Sequence, residues 1–301
     1  MSGAHQHNHA PRHFGRAFAI GVTLNVVFVV IEAFYGWQAG SLALLADAAH
    51  NLSDVGGLLL AWAAFGAAQL NPNLRHSYGW RKGSILASFA NAVILLVAMG
   101  SLAWEAFERL QAPSPVAAGT VMVVAGIGVV INAVTAWLFL AGSEGDLNIR
   151  GAFLHMAADA LVSLGVVVAG AIYLWQGWGW IDPVMSLVIA LVIVMGTWSL
   201  FRHSLHLLFD GVPEGIDLTE VQEALLELPG VVSVHDLHVW AMSTRENAIT
   251  AHLVLAPGDR DNDRLLTLAT DMLHGRFGIH HTVLQQESEA YAANCPTACG
   301  C

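Results

Sequence analysis

The chain has 301 residues, of which 55% are hydrophobic and only 12% are charged, and its formal net charge at pH 7 is -11. Its mean hydropathy of +0.58 is well above what a soluble domain needs to fill its core, so the composition excludes a wholly soluble protein and indicates a largely lipid-embedded one. All three cysteines lie in the last seven residues, which excludes a disulfide framework.

The first two-thirds of the chain is dominated by long apolar segments. Residues 1–13 are rich in histidine and lack an apolar core, so we expect a cytoplasmic tail and not a cleavable signal peptide. Apolar stretches of about 20 residues then predict a six-helix membrane bundle over 14–208. The predicted helices are 16–37, 42–68, 84–108, 116–140, 150–175 and 181–206. Basic residues cluster at one set of helix ends, so the positive-inside rule predicts that both termini are cytoplasmic.

The last third of the chain has a different composition. Residues 211–301 hold 13 of the 23 acidic residues, and their patterns alternate between helix and strand. The predicted order is α-β-β-α-β, with helices at 217–228 and 261–277 and strands at 231–242, 248–256 and 280–287. This order predicts a small α+β domain of ferredoxin-like type over 209–290, followed by a cysteine-containing tail at 291–301.

Two histidine–aspartate pairs interrupt the apolar segments. His50 with Asp54, and His155 with Asp159, are each four residues apart, so each pair shares one face of its helix. Together they offer two imidazole nitrogens and two carboxylate oxygens, a donor set that suits tetrahedral Zn²⁺. Ionisable side chains at membrane depth are costly and usually mark an ion pathway. The alternative is that each pair is an independent contact that stabilises its own helix.

Three further membrane residues invite weaker predictions. Asp47 lies one turn before His50 on the same face of the helix. It could support the metal ligands from behind or carry a proton. The alternative is a hydrated carboxylate near the outer mouth of the bundle. Glu32 and Asp182 sit in apolar runs, where interhelical hydrogen bonding is the favoured interpretation.

At this point the sequence resembles the cation diffusion facilitator family, and its zinc-exporting branch in particular. The matching motifs are SLALLADAAHNLSD at 41–54, HMAAD at 155–159 and VHDLHVW at 234–240. The resemblance implies a homodimeric Zn²⁺/proton antiporter that works by alternating access. It also implies a multi-pass protein, most simply of a bacterial inner membrane, whose cytoplasmic domain holds the dimer and binds further Zn²⁺ as a regulatory ligand. No nucleic-acid partner is expected.

The resemblance also suggests roles for individual residues outside the bundle. Lys82 and Asp210 match two positions that form an ion pair in the family. That ion pair acts as a hinge between the membrane bundle and the soluble domain. The candidate cytoplasmic metal ligands are His235, His252, His280, His281, Glu287, Cys295 and Cys299. Gln285 stands where some relatives have a histidine, which argues against a full two-metal site. His238 is predicted to face the other side of a regular strand from His235.

Physical chemistry supplies a mechanism for coupling in such a protein. Metal ligands must be deprotonated, so protons and Zn²⁺ compete for the four residues. Imidazole at position 50 favours Zn²⁺ over harder ions such as Mn²⁺. Two other functional classes fit the same ligands: a metal-gated channel and a membrane-bound metal sensor. An enzyme is not expected, because the chain has no H-E-x-x-H motif and no phosphate-binding G-x4-G-K-[ST] loop.

Overall fold

The computed structural model describes residues 14–140, 147–258 and 262–293. The predicted tail at 1–13 and all but three residues of the predicted tail at 291–301 lie outside these ranges. Six long helices come first, and each agrees with its predicted limits to within a few residues. They are α1 (Phe14–Ala39), α2 (Leu42–Ala68), α3 (Gly83–Gln111), α4 (Ala118–Leu140), α5 (Leu147–Gln176) and α6 (Ile181–Leu208).

Among the described residues, length and hydropathy alone identify four helices that can cross a membrane. These spans are Gly83–Gln111, Ala118–Leu138, Phe153–Gln176 and Ile181–Leu208, while Val26–Ala39 is a shorter apolar segment of α1. Helix α2 is as long as the others, but Asp47, His50 and Asp54 interrupt its apolar sequence. The predicted six-helix membrane part therefore consists of four strongly apolar helices and two others.

The chain divides into two compact units, the first formed by residues 1–58 and 93–197. Its core takes side chains from all six long helices, and many of them are alanine, which lets helix backbones approach closely. The buried core includes Phe28, Leu44, Met99, Val124, Ala125, Val166 and Ile189. This packing holds the first half of α2 against the middle of α5.

The start of α2 is fixed by a residue from another helix. Asp182, in the first turn of α6, accepts hydrogen bonds from the Ser41 hydroxyl and, at 2.8 Å, from the backbone N–H of Leu42. The carboxylate thereby satisfies an N–H at the helix terminus that has no partner within α2. Arg109 of α3 donates to the carbonyl of Gly40, the residue before this turn. The predicted interhelical role of Asp182 is confirmed.

The second unit comprises residues 59–92 and 198–301. It contains α7 (Leu218–Leu226), β1 (Val231–Ala241), β2 (Asn247–Leu255), α8 (Asn262–Phe277), β3 (Ile279–Ser288) and the short α9 (Glu289–Ala292). The sheet order is β1-β2-β3, with β1 and β2 antiparallel and β2 and β3 parallel. Asp217 caps α7 by accepting from the N–H of Thr219 at 2.7 Å. The predicted α-β-β-α-β order is confirmed, and α9 is an addition.

Strand β1 is not the regular strand that the sequence predicts. Its pairing with β2 slips between His235 and His238, and Asp236 adopts a φ of 51°. Aspartate tolerates this left-handed conformation better than most residues. The Asp236 carboxylate lies 3.1 Å from His238 Nε2 and 3.5 Å from His252 Nε2. The prediction that His235 and His238 face opposite sides of a regular strand therefore does not hold across this irregularity.

Candidate metal centre

The four residues predicted as transport ligands come together in the first unit. His50 and Asp54 are on successive turns of α2, and His155 and Asp159 are on successive turns of α5. The Nε2 atom of His50 lies 3.7 Å from Asp54 Oδ2 and 3.6 Å from Asp159 Oδ1. The Nε2 atom of His155 lies 3.1 Å from Asp54 Oδ2 and 3.6 Å from Asp159 Oδ2. Each histidine therefore faces carboxylates from both helices.

These separations suit a metal ion. Ligand atoms at about 2.0–2.1 Å from a tetrahedral Zn²⁺ are about 3.3 Å from one another. The observed nitrogen–oxygen distances of 3.1–3.7 Å surround that value. The donor atoms of His50, His155 and Asp159 all lie within 4.8 Å of one another, and Asp54 contacts both histidines. Asp159 Oδ2 is buried without a hydrogen-bond partner, as expected for an atom directed at an ion.

The four candidate ligands differ in exposure. The side chain of Asp159 is 4% exposed, whereas those of Asp54 and His155 are 39% and 42% exposed. His50 is intermediate. The most deeply buried of the four is therefore a carboxylate from α5.

A second polar layer is buried beside this site. Asp47 is 1% exposed and accepts a hydrogen bond from Ser163 Oγ at 2.9 Å. Glu32 of α1 is 0% exposed and accepts from Asn51 Nδ2 at 3.4 Å. The sequence predicts Asp47 beside the candidate ligands and an interhelical hydrogen bond for Glu32, and the contact of Glu32 with Asn51 confirms that bond. A carboxylate in the middle of an apolar helix was the signal that pointed to Glu32.

The soluble domain holds a second cluster, formed by His235, His252 and Glu287. His235 and His252 are directly opposite each other on β1 and β2. Glu287 on β3 is buried, and its carboxylate oxygens lie 2.9 Å from His235 Nε2 and 2.9 Å from His252 Nδ1. The second contact lacks hydrogen-bond geometry, so His252 Nδ1 remains a buried nitrogen without a hydrogen-bond partner. Two imidazoles and a carboxylate are a donor set that fits Zn²⁺.

The other candidate cytoplasmic ligands lie elsewhere. The His280 ring packs against His274 with centroids 4.5 Å apart, and the His281 ring packs against Tyr78 at 5.6 Å. Neither belongs to the three-residue cluster. Gln285 donates from Nε2 to Glu287 Oε1 at 2.7 Å, so it orients the carboxylate of a candidate ligand. Cys295 and Cys299 lie outside the described residues.

Charged contacts join the start of α3 to the soluble part of the second unit. Lys82 Nζ lies 2.5 Å from Asp210 Oδ1, and Arg81 Nη1 lies 3.1 Å from Glu246 Oε2. Asp210 has a φ of 57°, so the chain turns sharply where α6 ends. The predicted partners Lys82 and Asp210 are therefore in direct contact. Both side chains are exposed, and pairs of this kind contribute only about 0–1 kcal/mol.

Long apolar helices around an N2O2 donor set define an integral membrane protein with a candidate site for a divalent metal ion among its helices. Comparison with known proteins makes this class more specific. Residues 18–209 match the model of the cation efflux transmembrane domain, and residues 213–289 match that of the cation efflux protein cytoplasmic domain. The chain belongs to the cation efflux family, which is the cation diffusion facilitator family that the sequence motifs resemble, and this is a family of transporters.

Curated relatives align with nearly the whole chain. The zinc transporter ZitB of Escherichia coli is 36% identical over 94% of this chain and 92% of its own length. A cadmium, cobalt and zinc/H(+)-K(+) antiporter of Bacillus velezensis is 33% identical over 95% of this chain and 93% of its own. The metal cation efflux protein CzcD of Cupriavidus metallidurans is 34% identical over 95% and 90%.

Proposed function

We propose that the chain exports Zn²⁺ from the cytosol in exchange for protons, by alternating access and as a homodimer. The observation that carries this proposal is the crosswise arrangement of His50, Asp54, His155 and Asp159 at separations that fit one tetrahedral ion. The names of the relatives, zinc transporters and a zinc/H(+)-K(+) antiporter, support the same cargo and counter-ion.

The ligand set accounts for both affinity and release. Two carboxylates offset the double charge of the ion, which makes its transfer through a low-dielectric interior feasible. The same four groups must lose protons before they bind metal. Protons that arrive while the site is open to the outside therefore compete with Zn²⁺ and drive its release. Imidazoles from both helices favour Zn²⁺ over Mn²⁺ and Mg²⁺, which prefer oxygen ligands.

The soluble domain regulates this exchange. His235, His252 and Glu287 would hold a Zn²⁺ ion that links all three strands of the sheet. A ligand shifts a conformational equilibrium only through its different affinities for the two states, so this ion tunes transport and does not carry it out. The Lys82–Asp210 contact serves as the hinge between the membrane helices and this domain.

The remaining assignments concern the orientation of the chain, its domain limits, its two tails and its lack of enzymatic activity. Both termini lie in the cytosol, most simply of a bacterial cell whose inner membrane holds the protein. The domain limits are 14–208 for the bundle and 209–290 for the soluble domain. The histidine-rich tail at 1–13 and the cysteine-containing tail at 291–301 capture metal for delivery. The chain is not an enzyme, because four protein ligands leave no open metal position for a reacting water.

Zn²⁺ flux in proteoliposomes tests the proposal. Purified protein is reconstituted with a zinc dye and a pH dye in the lumen, and an imposed proton gradient is expected to drive Zn²⁺ movement in the opposite direction. A Zn²⁺ gradient is likewise expected to drive protons. A metal-gated channel would pass ions without this exchange, and a sensor would bind Zn²⁺ without moving it. Either result would overturn antiport.

A further inference from the structure

Two carboxyl groups buried beside the proposed transport site are not among its four proposed ligands. Glu32 lies on α1 and Asp47 on α2, and both are completely enclosed in the first unit. Asn51, which donates to Glu32 at 3.4 Å, lies one turn after Asp47 on the same face of α2, so the two carboxyl groups are neighbours. Among the described contacts, their hydrogen-bond donors are Asn51 for Glu32 and Ser163 for Asp47. None of the four proposed metal ligands donates to them.

Within the described part of the chain, one oxygen of each carboxyl group lacks a hydrogen-bond donor. Glu32 Oε1 and Asp47 Oδ1 are both buried without a partner. Ionised carboxylates are acceptors only, so neither can satisfy the other, and a buried acceptor left unpaired is costly. A proton on one carboxyl group would supply the missing O–H donor between the two side chains.

The charges around Glu32 and Asp47 also require a proton on one of the two carboxyl groups. Among the described residues, the fully buried polar side chains include no lysine or arginine. The titratable groups that act on the pair are Asp159 of α5, which affects both carboxyl groups, and His50 of α2, which affects Asp47. Two ionised carboxylates beside a third, with no permanent cation, would repel strongly in a low-dielectric interior.

We propose that Glu32 and Asp47 share one proton in the metal-free protein and release it when Zn²⁺ binds the transport site. This inference rests on the proposed transport site but adds a proton that the four ligands do not themselves carry. The O–H bond breaks, its electron pair stays on the carboxylate oxygen, and the proton passes to water.

Electrostatic linkage connects the two sites. In the metal-free protein the negative charge of Asp159 disfavours ionisation of the neighbouring pair. A bound Zn²⁺ offsets that negative charge, so the repulsion falls, ionisation of the pair becomes more favourable and the proton leaves. The linkage is reciprocal, because a proton that returns to Glu32 and Asp47 must weaken Zn²⁺ binding by the same factor.

Counting protons released per Zn²⁺ bound tests the proposal directly. The purified full-length chain is titrated with ZnCl₂ in two buffers of different ionisation enthalpy at one pH, and the buffer dependence of the heat gives the count. Wild type is compared with Glu32→Gln and Asp47→Asn, which keep the shape of each side chain. Glu108→Gln is the matched control, since Glu108 is an exposed carboxylate of α3 that bonds Trp104.

We expect wild type and Glu108→Gln to release roughly one more proton per Zn²⁺ than Glu32→Gln and Asp47→Asn. Contributions from the cytoplasmic cluster are common to all four proteins and cancel. Equal proton release by all four proteins, with Zn²⁺ binding retained, would overturn the proposal that Glu32 and Asp47 share a proton. Unchanged Zn²⁺ binding in Asp159→Asn would instead overturn the transport site.

Infrared spectroscopy of wild type tests whether the pair carries a proton, and this measurement does not require any variant to fold. Metal-free wild type is expected to show the C=O stretch of a protonated carboxyl group, and Zn²⁺ is expected to remove it. If metal-free wild type has no such band, the pair carries no proton and the proposal is wrong. A band that persists unchanged in folded Glu32→Gln and Asp47→Asn would contradict it equally.

Discussion

His155 lies closer to Asp54, on the opposite helix, than to Asp159, one turn along its own helix. The two distances are 3.1 Å and 3.6 Å. His50 behaves similarly, at 3.6 Å from Asp159 and 3.7 Å from Asp54. The ligands therefore form one crosswise site, and not two separate pairs. Any displacement of α2 relative to α5 changes both cross-helix distances at once, which is the property that alternating access needs.

Removal of either carboxylate is expected to abolish transport. Asp54→Ala and Asp159→Ala each delete a ligand and one of the two charges that offset the ion. Both variants should still insert and fold, because loss of a polar group from a membrane interior does not itself oppose folding. Zn²⁺ flux in proteoliposomes and size-exclusion profiles provide the measurements, with Glu108→Ala as the control. Zn²⁺ flux that persists in either variant would reject the transport site.

Replacement of one imidazole is expected to change selectivity. His50→Asp keeps four ligands but exchanges a nitrogen donor for an oxygen, so discrimination against Cd²⁺ or Mn²⁺ should relax while Zn²⁺ still moves. Competition between metals in the flux assay measures the ranking. His76→Asp, in the exposed loop before α3, makes the same substitution away from the site. An unaltered ranking in His50→Asp would show that this residue does not set selectivity.

Loss of the cytoplasmic cluster is expected to tune transport without stopping it. Alanine at His235, His252 and Glu287 removes all three donors, so a higher Zn²⁺ concentration should be needed for half-maximal flux, or the flux should slow. Exchange with protons should persist. The control replaces His274 and His280, a contacting histidine pair outside the cluster. Complete loss of exchange in a folded dimer would contradict a regulatory role, and an unchanged Zn²⁺ dependence would show that the cluster is structural.

Charge reversal tests the proposed hinge. Lys82→Asp and Asp210→Lys each place like charges together and should slow transport, whereas the double reversal should restore part of the rate. Because both side chains are exposed, the coupling in a double-mutant cycle should be only about 0.2–1 kcal/mol. Flux and thermal unfolding of the same four proteins separate a functional effect from a loss of stability. Additive effects on flux would remove the hinge assignment.

The cross-helix cap of α2 should contribute to stability. Asp182→Ala removes the acceptor for the Leu42 N–H and the Ser41 hydroxyl, so the free energy of unfolding should fall by about 1 kcal/mol. Thermal unfolding in detergent measures the change. Ser186→Ala, on the same helix, removes a hydroxyl that donates to the Asp182 carbonyl and should have a smaller effect. Equal melting temperatures for Asp182→Ala and wild type would contradict the capping role.

Sequence patterns predicted the helix limits and the two ligand pairs because these depend on local properties. Apolar runs define the helices, and a spacing of four places His50 with Asp54 on one face. Spacing within a helix carries no information about which helix lies opposite, so the crosswise contacts and the pairing of Glu32 with Asp47 appear only in three dimensions. The irregularity in β1 was missed because a regular strand pattern does not reveal an aspartate at positive φ.

The uneven exposure of the proposed ligands would set the order in which an arriving ion meets them. A hydrated Zn²⁺ ion would first reach His155 and Asp54, whose side chains are partly exposed, and only then the buried Asp159. Each protein ligand would replace one bound water, so the cost of dehydration would be spread over successive steps and would not fall on a single one. The last water would be exchanged for a carboxylate, at the point where the ion most needs a compensating charge.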